Sequence, residues 1–160
     1  MPESLNLAPA KWIWWPSERT LPNTFVLFRR QFGVREGLRR ATGWLAADSR
    51  YRLFANGQRI QWGPAISDPR FAEADPLDLT DVLCSGANVL GVEVLYYGHG
   101  DGTWPGGKPG LLVRLELEYS DGTTELVATD ESWLTRVDRA HPPGQPKRWY
   151  LRALQEEFDA

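Results

Sequence analysis

Tyr51-Arg-Leu-Phe-Ala-Asn-Gly57 sets Tyr51, Leu53 and Ala55 on one face of an extended chain and then offers Asn56-Gly57. A side-chain period of two is that of a half-buried strand. The dipeptide accepts the positive φ angles that a type I′ hairpin turn demands. Working outward, the same alternation recurs in Thr24-Phe-Val-Leu-Phe-Arg-Arg-Gln-Phe32, Asn88-Val-Leu-Gly-Val-Glu-Val-Leu95 and Leu111-Leu-Val-Arg-Leu-Glu-Leu-Glu-Tyr119. Ser85-Gly86 and Asp121-Gly122 supply further turn signals. No apolar stripe of helical period runs for three turns, although Trp149 to Phe158 is expected to form a short terminal helix. The expected fold is all-β, an antiparallel β-sandwich or jelly roll.

With 160 residues, the chain is long enough to bury a core without disulfide or metal staples, and one domain spanning residues 1–160 is expected. A net charge of −3 with mixed signs provides no basic field for a phosphate backbone, so nucleic acid is not an expected partner. The longest apolar runs, such as Val89 to Tyr97, are broken by Gly and Glu and fall short of the roughly 20 residues needed to span a bilayer. No membrane partner is expected. Met1-Pro-Glu-Ser-Leu5 lacks a cationic segment followed by an apolar one, so no signal peptide and a cytoplasmic location are expected. The single Cys84 excludes an internal disulfide and a Cys-rich zinc site, and its neighbours suggest a buried or turn thiol.

Long loops are expected from Trp62 to Pro76 and from Gly98 to Gly110, with a Pro-rich semi-rigid connector or surface flap from Arg139 to Pro146. Loops of this length in a compact domain are functional or mobile. A sugar ring presents an apolar C–H face and a rim of hydroxyls, so its receptor needs a flat aromatic surface flanked by polar groups. Tyr96, Tyr97, His99, Asp101 and Trp104 meet that need within a few residues, assisted by Trp62 and Asp68 from the other loop; the alternative is a flexible glycine loop whose Trp104 packs down on the sandwich. No catalytic residue is expected. Asp48, Glu93, Asp68 and Asp101 supply carboxylates of the kind glycoside hydrolysis uses in pairs, but the sequence brings no two of them together. His99 and His141 lie apart, without a nucleophile elbow or a zinc-binding helix. Gly98-His-Gly-Asp-Gly102 lacks the Lys-Ser/Thr ending of a phosphate loop. No cofactor is expected; calcium held by Asp68, Asp75 and Asp101 is the one metal weighed, on a spacing that matches no EF-hand. Asp48 and Arg50 are expected to organise the sheet.

Read in order, Lys11-Trp-Ile-Trp14, Phe28-Arg-Arg-Gln-Phe32, Ala46-Ala-Asp-Ser-Arg-Tyr51, Asn56-Gly57, Gly63-Pro64, Leu77-Asp-Leu-Thr80, Gly86-Ala-Asn-Val-Leu90 and Thr129-Asp-Glu-Ser-Trp133 resemble the N-terminal β-sandwich of bacterial α-L-rhamnosidases. The succession is also similar to the sugar-binding jelly roll of β-galactosidases and β-glucuronidases. The resemblance implies a galactose-binding-like accessory domain ahead of a catalytic (α/α) barrel that this chain does not contain. The closing Glu156-Glu-Phe-Asp-Ala160 resembles the passage into the next β-domain of those enzymes, so the chain is expected to stop at a domain boundary. Two roles are then open: carbohydrate binding or substrate positioning, and a purely structural domain that docks on the rest of its own enzyme. Docking calls for exposed aromatics near the termini, with Trp14, Trp15, Trp149 and Phe158 as the candidates. The expected structural purpose of Trp12, Trp14, Trp44 and Trp133 is packing in the core or against that neighbour.

Overall fold

A computed structural model describes residues 5–65, 73–98, 107–146, 154 and 156. Among them nine strands form: β1 (Thr24–Val34), β2 (Leu38–Asp48), β3 (Arg50–Ala55), β4 (Gln58–Gly63), β5 (Asp75–Asp78), β6 (Gly86–Tyr96), β7 (Gly110–Tyr119), β8 (Thr124–Ala128) and β9 (Leu134–Val137). They pair antiparallel in two sheets, of order β4-β3-β6-β1-β9 and β5-β2-β7-β8. The fold is therefore the expected β-sandwich. Its core is where the inward residues of the two sheets meet: Val26, Phe28, Leu53, Val92 and Val94 from one, Leu45, Leu77, Val113, Leu115 and Leu117 from the other, all buried. Each such side chain contributes about 1.5–3 kcal/mol on leaving water.

The turn chemistry follows the sequence closely. Asn56 and Gly57 have φ of 51° and 81°, the pair of positive angles a type I′ turn requires, and they join Ala55 to Gln58 in the β3–β4 hairpin. Asp121-Gly122 closes the β7–β8 hairpin, with Gly122 at φ 82°. Ser85-Gly86 does not link neighbours, because β5 and β6 belong to different sheets. In Asp78-Leu-Thr80 the Asp78 carboxylate accepts the Thr80 N–H, at 3.0 Å, and the Thr80 hydroxyl accepts the N–H of Ala41 on β2, at 3.0 Å.

Two motifs of the resemblance interlock. Asn88 is fully buried; its Oδ1 accepts the N–H of Cys84 and an amide hydrogen of Asn56, at 3.0 and 2.8 Å. Its Nδ2 donates to the carbonyls of Cys84 and Gly86, at 2.6 and 3.1 Å. Asn56 Oδ1 in turn accepts the N–H of Val89, at 2.9 Å. The Asn-Gly turn and the Gly-x-Asn strand start are thus one polar unit that holds the tip of the β3–β4 hairpin against the beginning of β6. Cys84 sits in this turn and is exposed, which removes the alternative of a buried thiol.

The N-terminal segment closes one side of the sandwich. Ile13 bridges Leu111, Lys11 donates its N–H to Thr129 O at 2.9 Å, and the buried Thr129 hydroxyl donates to Lys11 O at 2.7 Å. Trp14 and Trp15 are half-buried and pack on the core. Trp14 lies 5.8 Å from Phe28 and 6.2 Å from Tyr96 between ring centroids, and its Nε1 donates to Thr20 Oγ1 at 2.9 Å. Trp133 is buried, with Nε1 donating to Ala128 O at 2.9 Å. Trp12 is exposed and Trp44 half-buried. Trp149, Phe158 and the expected terminal helix lie outside the described residues.

Candidate functional site

The five-stranded sheet turns alternate residues of β1, β6 and β3 outward. Cross-strand register aligns Phe25 with Leu95 and Leu95 with Arg50, and likewise Leu27 with Glu93 and Glu93 with Arg52. Arg52 then aligns with Trp62 on β4. A groove of roughly 510 Å³ results, lined by Phe25, Arg50, Arg52, Arg59, Trp62, Glu93, Leu95 and Tyr97, with Tyr51 beneath.

A bulge in β4 shapes this wall. Leu53 pairs with Gln61, but Phe54 pairs with Arg59, so Ile60 is the extra residue. Unbroken alternation would send Arg59 to the face opposite Trp62; the bulge returns it to the same face. Trp62 is 69% exposed. The Arg50 guanidinium lies 4.9 Å from its ring centroid, which steadies the indole while leaving its other face to solvent. Arg52 Nε donates to Glu93 Oε1 at 2.9 Å, an ion pair on the groove floor with Glu93 largely covered.

Behind the groove, the Tyr51 hydroxyl donates to Asp75 Oδ2 at 2.5 Å and accepts from Gln61 Nε2 at 2.7 Å. Burial first, and the hydrogen bond to Asp75 second, push the Tyr51 hydroxyl pKa well up. The network ties the β3–β4 hairpin to β5 of the opposite sheet. Gly63 is needed here, because a Cβ would run into the Asp75 carboxylate and the Tyr51 ring.

The sequence-derived candidates separate on this frame. Trp62 and Tyr97 line the groove together. Tyr96 turns inward instead: alternation along β6 buries it, its ring meets Trp14, and its hydroxyl donates to Gly107 O at 2.9 Å. His99, Asp101, Trp104 and Asp68 lie outside the described residues. Trp62 and Gly63 belong to β4 and Asp75 and Pro76 to β5, so the first expected loop is shorter than its sequence signal. Arg50, Arg52 and Arg59 were missed as groove residues; the available signal was Arg50 and Arg52 at outward positions of an alternating strand. Among the described residues no group of three or more His, Cys, Asp or Glu converges as a metal site, and Asp75 of the calcium set is the hydrogen-bond partner of Tyr51.

Asp48 and Glu93 stand on different sheets, with Glu93 held by Arg52 and Asp48 by the Ser49 hydroxyl, which donates to Asp48 Oδ1 at 2.7 Å. The Ser49 hydroxyl also accepts the Tyr97 N–H at 3.1 Å. Burial raises the Asp48 pKa, against the opposing effect of Ser49. A folded-state pKa above the unfolded value means that the stability linked to this proton is present below about pH 4 and lost as pH climbs through the folded value. Asp48→Asn is therefore expected to gain on wild type in urea midpoint between pH 4 and pH 7. A difference that stays constant across that range would show that folding leaves the carboxylate's proton affinity unchanged.

Fold and groove together define an antiparallel β-sandwich module with an aromatic and basic face. The sequence profile described as the alpha-L-rhamnosidase N-terminal domain matches residues 36–141, and the chain belongs to that family. It is 28% identical over 135 residues to an alpha-L-rhamnosidase of Alteromonas sp. (strain LOR), covering 74% of this chain and 14% of the relative. The crystal structure of a GH78 family rhamnosidase of Bacillus sp. GL1 superposes with a TM-score of 0.74 at 34% identity, over 82% of this chain and 14% of that one. A lectin from Pleurotus ostreatus shares the fold, with a TM-score of 0.58 at 24% identity over 81% of this chain and 36% of the lectin. This chain thus spans about one seventh of the length of each of these two rhamnosidases.

Proposed function

We propose that this domain is a non-catalytic carbohydrate-binding or substrate-positioning module, working beside the catalytic domain of a longer α-L-rhamnosidase-like glycoside hydrolase. The observation that carries the proposal is the exposed Trp62 on the groove wall, steadied by Arg50 and faced by the polar Arg52–Glu93 pair. An indole offers the C–H face of a sugar a flat partner, and the flanking guanidinium and carboxylate groups offer its hydroxyls donors and acceptors. Family membership supports sugar as the ligand class, and the lectin of the same fold is known in complex with GalNAc.

Titration calorimetry with L-rhamnose and galactose tests the proposal. Wild type is expected to bind one of them with a dissociation constant of about 1 μM to 1 mM, and Trp62→Ala to weaken binding at least about tenfold, which is roughly 1.4 kcal/mol. Trp62 is exposed, so the variant keeps the fold. Binding unchanged in Trp62→Ala would place the site elsewhere. No heat from either sugar at millimolar concentration would leave the domain a structural one, docked on its own enzyme.

A further inference from the structure

We infer, building on the sugar-binding role proposed above, that the groove takes an acidic saccharide, a uronate whose carboxylate is held by Arg59 while its ring lies on Trp62. Among the described residues that line the groove are three guanidinium groups, of Arg50, Arg52 and Arg59, and one carboxylate, of Glu93. Arg52 and Glu93 answer each other. Arg50 keeps its guanidinium over the indole. Arg59 is exposed on the rim and forms no ion pair with another described residue. Its direction is set by the β4 bulge, which brings a residue from the wrong phase of the strand onto the Trp62 face. Bulges commonly re-aim a side chain beside a functional surface.

A neutral sugar has no use for the Arg59 charge beside its stacking platform. A carboxylate does, because the planar guanidinium fork matches its two oxygens in a bidentate pair. The charge also bears on encounter: in a chain that is net negative at −3, the exposed Arg59 guanidinium attracts an anion to this rim. An acidic protein surface would answer the same charges, but one exposed indole in a groove suits the single flat face of a sugar ring.

The test is calorimetry on this chain with trigalacturonate and with the same trisaccharide after its carboxylates are reduced to hydroxymethyl groups. Wild type is expected to bind the acid about five- to tenfold more tightly than the reduced sugar. That preference should shrink between about 20 and 500 mM NaCl as the charges are screened. Arg59→Gln should abolish it while leaving the reduced trisaccharide unaffected, and Trp62→Ala should weaken both. Circular dichroism of Arg59→Gln, expected to match wild type, keeps folding out of the comparison. Equal binding of both trisaccharides, or a preference that survives Arg59→Gln, would overturn the acidic reading and leave sugar binding standing. If neither trisaccharide nor the simple sugars bind, both readings fall.

Discussion

Asn88→Ala is expected to destabilise the fold by about 3–5 kcal/mol, lowering the melting temperature by roughly 10 °C. The side chain is fully buried and makes four hydrogen bonds, two as acceptor and two as donor. Truncation strands the Cys84 N–H, the Cys84 and Gly86 carbonyls and an Asn56 amide hydrogen. Each buried group without a partner costs about 1–3 kcal/mol, less whatever water can recover near the turn. Because Asn56 is both partner of Asn88 and anchor of Val89, Asn56→Ala and Asn88→Ala are expected to be non-additive in a double-mutant cycle, with coupling beyond about 0.5 kcal/mol. Thermal and urea unfolding measure both quantities. A loss below about 1 kcal/mol for Asn88→Ala, or strict additivity, would mean the two motifs are not one unit.

The same residues show what could be read in advance. Asn56-Gly57 names its turn type from two residues, because only a pair tolerant of positive φ fits there. Its link to Asn88 lies 32 positions away in sequence and has no local mark. β1, β3, β6 and β7 were legible because one face of each is core and the other solvent, so polarity alternates. β2 was legible only at its Ala46-Ala47 end: Ala41, Leu45 and Ala47 face the core, and its outward Trp44 and Ala46 are apolar too, so polarity does not alternate. β4 escaped because the bulge at Ile60 breaks the period of two. β5 and β9 have only four residues each, too few for a pattern. The groove suffered in the same way. Its aromatics stood out by type, but its arginines are joined only by cross-strand register and by the bulge, and both are properties of pairing rather than of any one segment.

Phe28→Ala is expected to destabilise by about 3–5 kcal/mol. Phe28 is 2% exposed on the inward face of β1, paired with Val92 on one side and Thr135 on the other, so the backbone cannot collapse to fill the space its ring leaves. The loss reaches the N-terminal segment as well. Trp14 packs its indole on Phe28 at 5.8 Å and 45°, while its neighbour Ile13 is bonded to Leu111 of the other sheet. The pair is thus a clasp between the N-terminal segment, which bridges one sheet, and β1 of the other. Tilted aromatic pairs contribute about 0.5–1.5 kcal/mol beyond buried area. The cycle of Phe28→Leu with Trp14→Leu should return a coupling energy in that range. Coupling near zero would show that Trp14 rests on the sandwich without gripping it, and its half-burial would then be better explained as a surface left for a neighbouring domain to cover.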